Sequence, residues 1–323
     1  MEQITDISNK LNQSVERLGL NGTPNGLYEP IRYILNLGGK RIRPLLTLIA
    51  AEMFDASPYN AMPQALAIEV FHNFTLLHDD IMDEAPLRRN QETVHLKWNI
   101  NTGILSGDAM LIKAYQLLSA SPAIYLPEIL TLFNDTAIGV CEGQQFDMEF
   151  ESRDDVTIPE YMEMIRLKTA ILLACALKTG SIIGGAEKKE IDAMYAIGES
   201  LGLAFQLQDD ILDAFGTAKV GKRKGGDIIS NKKTILLLSA QQLATGKEKE
   251  ELNRWISATE FNDEEKVAAV LEIFESLKIK ELAEKEMLNY SDKAFQLLDD
   301  LNIKEEKKVN LKEVLEQLLK REF

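Results

Sequence analysis

Cysteine, histidine and proline are scarce in this 323-residue chain, and each shortage excludes something. Two cysteines, Cys141 and Cys175, are too few for a disulfide framework or a thiolate zinc site, so both are expected to be buried free thiols. Three histidines, His72, His78 and His95, form neither an HExxH pair nor a zinc triad, and there is no GxxxxGK[ST] phosphate loop. Cations are outnumbered, Lys+Arg 36 against Asp+Glu 51, and a net charge of −15 argues against nucleic acid as a partner, which needs a basic footprint. The most apolar segment, "TAILLACALKTGSIIGGA" from Thr169, is interrupted by Lys178 and by glycines, so no membrane span is expected. The opening "MEQITDISNK" is polar and mixed in charge, unlike a secretory leader, and a cytoplasmic location is expected.

What is present is helical periodicity along almost the whole length, which predicts an all-α fold of about ten or more helices of roughly 12–25 residues. The prolines, Pro24, Pro30 and Pro58 among them, are expected in loops, while Pro44, Pro63 and Pro159 can open helices in the first turn. No shift of composition marks a linker, so residues 1–323 are expected to form one domain. From Lys247 on, Lys and Glu dominate, and "KVAAVLEIFESLKIKELAEKEM" is expected to be an amphipathic outer helix.

Against this background two short stretches stand out, "DDIMD" at 79–83 and "DDILD" at 209–213. On a helix Asp79 and Asp83 share a face, as do Asp209 and Asp213, with Asp80 and Asp210 about 100° round. Pro86 and Gly216 end each helix soon afterwards, so the acids sit where the helix dipole is also negative. That combination is poor as a structural device and good as a site for hard divalent cations, since Mg²⁺ binds through a few carboxylates plus phosphate oxygens. Two such helices facing each other would cage several Mg²⁺ ions and imply a highly anionic ligand, most simply a diphosphate. An EF-hand is excluded because neither stretch alternates oxygen ligands round a glycine.

The cations fall beside the acids. "LGGKRIRP" (37–44) sets Lys40, Arg41 and Arg43 after a glycine pair, where Lys40 and Arg43 can converge on one anion. Arg88 and Arg89 follow the first acidic stretch; Lys222 and Lys232 follow the second. Cations flanking both acidic clusters describe a diphosphate held jointly by metal and by Lys and Arg.

At this point the residues resemble the trans-isoprenyl diphosphate synthases of the polyprenyl synthetase family. The likeness runs from about residue 28 to about residue 300 through "GGKRIRP", "FHNFTLLHDDIMDEAPLRR", "GDAML", "GQQFD", "KTA", "GLAFQLQDDILD" and "GKRKGGDI…NKKT", in family order. The resemblance implies helices round a deep central cavity, usually in a homodimer, and an enzyme that joins isopentenyl diphosphate head-to-tail to an allylic diphosphate (dimethylallyl, geranyl or farnesyl). It assigns Asp79, Asp80, Asp83, Asp209, Asp210 and Asp213 to Mg²⁺, and Arg88, Lys168 and Lys222 to the allylic diphosphate. It assigns Lys40, Arg43, His72 and Arg89 to isopentenyl diphosphate, Thr169 and Gln206 to the reaction centre, and Lys232 to closure over the site. Gln144 and Asp147 match a family motif that supports the cavity. Asn90 departs from the family, which usually has glycine there.

In such enzymes the residues just before the first acidic motif stop elongation. Phe74 argues against long products and Thr75 against the tightest floor, so geranylgeranyl diphosphate is expected, ahead of farnesyl diphosphate. Two rivals fit less well. A terpene cyclase would carry NDxxSxxxE, which "NDTAIGVCE" (134–142) imitates with Asn134, Asp135 and Glu142 but not at Ile138. A non-catalytic partner subunit tends to lose an acidic cluster or its cations, and here both remain.

Overall fold

The computed structural model describes residues 2–216 and 225–319. Helices follow one another in the order α1 (Glu2–Glu16), α2 (Asn25–Asn36), α3 (Ile42–Met53), α4 (Met62–Met82), α5 (Val94–Lys97), α6 (Ile100–Leu118), α7 (Leu126–Ser152) and α8 (Ile158–Ile165). They continue with α9 (Ile171–Gly184), α10 (Lys188–Phe215), α11 (Gly226–Ile229), α12 (Ile235–Leu243), α13 (Gly246–Ser257), α14 (Asp263–Ser276), α15 (Ile279–Asp299) and α16 (Glu305–Leu319). The one sheet among the described residues is a hairpin of β1 (Leu87–Arg88) and β2 (Gln91–Glu92), antiparallel with Arg88 opposite Gln91. The all-α expectation holds, with a wider spread of helix length than periodicity suggested, from four residues in α5 and α11 to 28 in α10.

Contacts divide the described residues into two compact units. One takes in residues 2–134, 175–195 and 302–311, and the other residues 135–174, 196–216, 225–301 and 312–319. In the first, α3 is buried almost all round, from Pro44 to Ala51, and packs against α4, where Val70 and Phe71 are buried. In the second, Tyr161, Leu207, Ile211, Leu236, Val270, Phe274 and Ile279 belong to one buried apolar cluster. Local signals set several helix starts: Thr157 and Glu160 make a reciprocal capping box at α8, and Asn99, Thr234 and Asn262 cap α6, α12 and α14.

Four expectations need correcting. Pro30 lies inside α2, where it is buried and forgoes a single i→i−4 hydrogen bond rather than starting a loop. Cys141 is exposed: α7 buries Leu132, Phe133, Thr136, Gly139, Val140 and Gly143, and Cys141 falls outside that helical stripe. The stretch from Lys266 to Met287 is two helices, broken where Lys278 takes a left-handed φ of 55°. Finally, the segment around Thr169 is not broken. A continuous helical run, Ile158–Gly184, is long and apolar enough by composition to cross a bilayer, and 78% of its most apolar window is buried within the protein, as in a core helix. Gly180 and Gly184 leave the helix intact and let it approach α3, where an added Cβ would lie 2.2 Å from Thr47 O and 2.9 Å from Ala51 O.

Glycine also sets the second unit. Residues Arg166–Ala170 form a π turn between α8 and α9, and the Ile171 N–H bonds back to Arg166 O. Three helical glycines close on this turn and the helix after it: an added Cβ would come within 2.3 Å of Lys168 N at Gly143, 2.5 Å of Ala174 Cα at Gly198 and 2.4 Å of Ala170 Cα at Gly202. The backbones of α7 and α10 therefore touch the turn that carries Lys168 and Thr169. Gly202→Ala forces this contact apart, and by overpacking it is expected to lower stability by about 1–3 kcal/mol, read as a fall in denaturant midpoint with unchanged m-value.

Candidate active site

The first acidic stretch closes α4. Asp83 is its C-cap, the Asp83 N–H bonds to Asp79 O at 2.9 Å, and Glu84 turns the chain through a left-handed φ of 48°. Asp79 and Asp83 are thus one turn apart, as the spacing implied, while Asp80 points inward and is 2% exposed. Arg88 meets it with a fork, Nε 2.9 Å and Nη2 2.5 Å from Oδ1, and Nη2 also stands 3.7 Å from Asp79 Oδ2. Burial raises the Asp80 pKa above the usual carboxylate range, and Arg88 opposes that rise.

The hairpin aims its two arginines differently. Its turn, Arg89–Asn90, has φ of 53° and 61°, the doubly left-handed pattern that suits a two-residue hairpin loop. Asn tolerates this conformation, so Asn90 can stand where a glycine would otherwise be favoured. Arg88 goes to Asp80, and Arg89 goes over the glycine pair, its guanidinium carbon 2.6 Å from where a Cβ on Gly39 would be. Arg43 Nη1 donates to His72 Nε2 at 3.2 Å, so the imidazole proton sits on Nδ1. Lys40 is exposed on the same loop. Arg41, flanked by these cations in the sequence, turns inward to Asn12 Oδ1 and Leu35 O, with Glu69 Oε1 3.9 Å away. Glu69, which no sequence motif singles out, is 4% exposed and accepts from Asn73 at 3.1 Å. Burial raises its pKa, while Asn73, Arg41, Arg43 and Arg89 hold it down, so one buried acid lies among the cations of this loop.

The second acidic stretch closes α10 by other means. Asp210 is 5% exposed; Tyr161 Oη donates to its Oδ2 and Gln206 Nε2 to its Oδ1 at 3.0 Å. Gln206 Oε1 in turn accepts from Thr169 Oγ1 at 3.0 Å, so the Gln206 amide is fixed at both ends. Burial pushes Asp210 up to about 7, aided by Asp227 and opposed by Tyr161, Gln206 and Lys232. Asp213 accepts the Asp227 N–H on Oδ2 at 2.9 Å and the Gly225 N–H on its carbonyl at 2.8 Å, which ties the following turn to α10. Lys168 donates to Asp147 Oδ2 at 2.6 Å, and Lys232 Nζ stands 3.8 Å from the same oxygen. Burial raises the Asp147 pKa, but the two lysines outweigh it and leave it lowered. Lys222 lies outside the described residues.

The first unit therefore brings together Asp79, Asp80 and Arg88, and separately Arg43 and His72. The second brings together Lys168, Asp147 and Lys232, and Thr169, Gln206 and Asp210. Tyr161 and Glu69 were not foreseen; nothing local in the sequence marks a core tyrosine or a helical glutamate as the partner of a site residue. Phe74 stands edge-on to His78 at 4.7 Å and tilted against Phe71 at 5.6 Å, and Thr75 Oγ1 donates to His72 O.

His72 carries a pH signature. Burial and the arginines Arg43, Arg89 and Arg88 depress its pKa well below 6.5. The unfolded chain takes up a proton on this imidazole below pH ~6.5 that the folded protein refuses, so its contribution to stability is present above that pH and lost as pH falls. Unfolding measured from pH 8 to 5 is expected to show wild type losing stability on the acid side relative to His72→Gln.

A polyprenyl synthetase family model matches residues 24–274. A short chain isoprenyl diphosphate synthase of Methanothermobacter thermautotrophicus is 40% identical over 281 residues, which is 86% of each chain. Among solved structures, a geranylgeranyl pyrophosphate synthase superposes with TM-score 0.95 at 45% identity, covering 100% of both chains. A polyprenyl synthase from Caulobacter crescentus, complexed with calcium and isoprenyl diphosphate, gives TM-score 0.87 at 27% identity, covering 99% of this chain and 97% of that one. The chain belongs to the polyprenyl synthetase family.

Proposed function

We propose that this protein joins isopentenyl diphosphate head-to-tail to allylic diphosphates and releases mainly geranylgeranyl diphosphate. The observation that carries the reading is that a member of this family keeps both acidic stretches intact at helix ends, with Arg88 paired to the first and Lys232 acting electrostatically on Asp210 in the second. Relatives named as geranylgeranyl diphosphate synthases, such as that of Methanosarcina mazei at 37% identity, support the product.

The donor set at 79–83 and 209–213 is all carboxylate, which suits a hard divalent cation such as Mg²⁺. Bound there, such a cation would share its coordination with phosphate oxygens of the substrate. The six carboxylates of Asp79, Asp80, Asp83, Asp209, Asp210 and Asp213 would hold it; Arg88 orients Asp80, Tyr161 and Gln206 orient Asp210, and the Asp227 N–H orients Asp213. Bound cations would neutralise charge developing on the departing diphosphate. Arg88, Lys168, Lys222 and Lys232 hold that diphosphate, and Lys40, Arg43, His72 and Arg89 hold isopentenyl diphosphate. Neutral His72 donates from Nδ1 without adding charge. Thr169 and Gln206 line the place where the allylic C–O bond ionises, and apolar helix walls keep water from the cation. The isopentenyl double bond attacks, and a diphosphate oxygen takes the proton. Phe74, braced by Phe71 and His78, forms the floor.

A second copy of the chain is the expected partner. The outward side of α6 carries Leu105 at 60% and Ile112 at 61% exposure, with Ile104 and Tyr115 also exposed. Large apolar side chains on the solvent side of an amphipathic helix mark an interface. Leu105→Glu with Ile112→Glu is expected to shift a dimer to monomer in sedimentation; a wild-type monomer overturns the assignment.

The decisive assay supplies Mg²⁺, isopentenyl diphosphate and each of the dimethylallyl, geranyl and farnesyl starters, with product length read by mass spectrometry. A C20 product is expected, and Phe74→Ala lengthens it. Asp79→Ala and Asp209→Ala each lower kcat by about 10²–10³ with the fold retained. No condensation from any starter defeats the proposal.

A further inference from the structure

We propose that Lys266, on α14, is a positioning residue that sets where the Lys232 ammonium stands; this rests on the reading of Lys232 as a diphosphate-binding lysine. Lys266 is 1% exposed, an unusual fate for a lysine, and it donates to two neutral oxygens. Its Nζ reaches Ile229 O at 3.0 Å and Asn231 Oδ1 at 2.8 Å, and lies 4.2 Å from the centre of the Phe261 ring. A methionine would fill the same space without burying an ammonium, so packing alone does not account for the charge.

Both acceptors belong to the turn that leads into Lys232. Asn231 holds a left-handed φ of 54°, and its Nδ2 donates to Ile256 O at the end of α13 at 3.0 Å. Asn tolerates that conformation, and its bonds with Lys266 and Ile256 hold its side chain in place there. The next residue, Lys232, bonds through its N–H to Asp227 O at 2.9 Å, and the Asp227 N–H is held by the Asp213 carboxylate. The turn is thus fixed on α10 through Asp213 and on α14 through Lys266, and Lys232 projects from between those two supports toward Asp147. The Lys232 side chain is a point charge on a flexible stem, and only its backbone origin can be held by the fold. Release of Asn231 rotates the peptide that precedes Lys232 and displaces that origin.

The test is a double-mutant cycle. Lys266→Met keeps the aliphatic bulk and removes both donated bonds. Asn231→Gly accepts the left-handed backbone without strain and removes the same anchor from the other side, so it keeps the question open to refutation if Lys266→Met fails to fold. Each is expected to lower kcat/KM for the allylic diphosphate about ten- to a hundredfold with unchanged far-ultraviolet circular dichroism. In a Lys232→Ala background neither is expected to cause further loss, because the group they position is gone. Wild-type activity of both variants, or an equal loss with and without Lys232, overturns the inference and leaves the role of Lys232 standing. Wild-type kcat/KM for Lys232→Ala alone overturns the role of Lys232 and the inference together.

Discussion

Everything in the site depends on how two adjacent aspartates can end an apolar helix without expelling each other from the fold. Side by side at a negative helix terminus, two carboxylates repel, and burial multiplies the cost. In both stretches the middle aspartate turns inward to a protein partner. The partners differ: Asp80 takes the Arg88 guanidinium, a full counter-charge, whereas Asp210 takes a tyrosine hydroxyl and a glutamine amide. The consequence shows in protonation, since burial drives Asp210 up to about 7 with only neutral donors bonded to it. The two stretches look alike in sequence and are built on different electrostatics.

Those partners then fix groups that carry no charge. Asp210 orients the Gln206 amide, which receives the Thr169 hydroxyl, and Thr169 sits on a π turn whose backbone is approached by Gly143 and Gly202. A π turn adds a residue to the helical turn and re-aims the side chains beyond it, and such features recur at functional sites. The glycines Gly143 and Gly202 let the backbones of α7 and α10 come within van der Waals contact of this turn. Positioning of an uncharged hydroxyl and amide thus traces back to the need to bury Asp210.

Much of this was legible from residue order, and the remainder was not for definable reasons. Periodicity, the capping pair Thr157 and Glu160, and Pro86 and Gly216 after the acidic stretches are local signals, and the helix ends follow them. The shared face of Asp79 and Asp83 is helix geometry alone. By contrast, Tyr161 lies 49 positions before Asp210, and Glu69 reads as one more helical acid. Pro30 and Cys141 were misread because both depend on which helical stripe is covered, a tertiary fact. The inward turn of Arg41 was equally hidden, since three cations in four positions gave no sign that one of them serves Asn12 and Leu35.

The net charge of −15 and the cationic site fit together through the same logic. Arg88 is already bound to Asp80, Lys168 and Lys232 share Asp147, and Arg41, Arg43 and Arg89 surround Glu69. The hydrogen-bonded cations Arg88 and Lys168 are thereby oriented before any anion arrives, so little of their side-chain entropy remains to be lost on binding. The paired acids also keep local net charge low, which prevents the cluster from repelling itself apart. The partners are internal carboxylates with a single charge, whereas a diphosphate brings more charge and more oxygens to the same donors. On the proposed function, Arg88 and Lys168 would exchange these carboxylates for diphosphate oxygens, and Asp80 and Asp147 would remain in place to take them back when diphosphate departs.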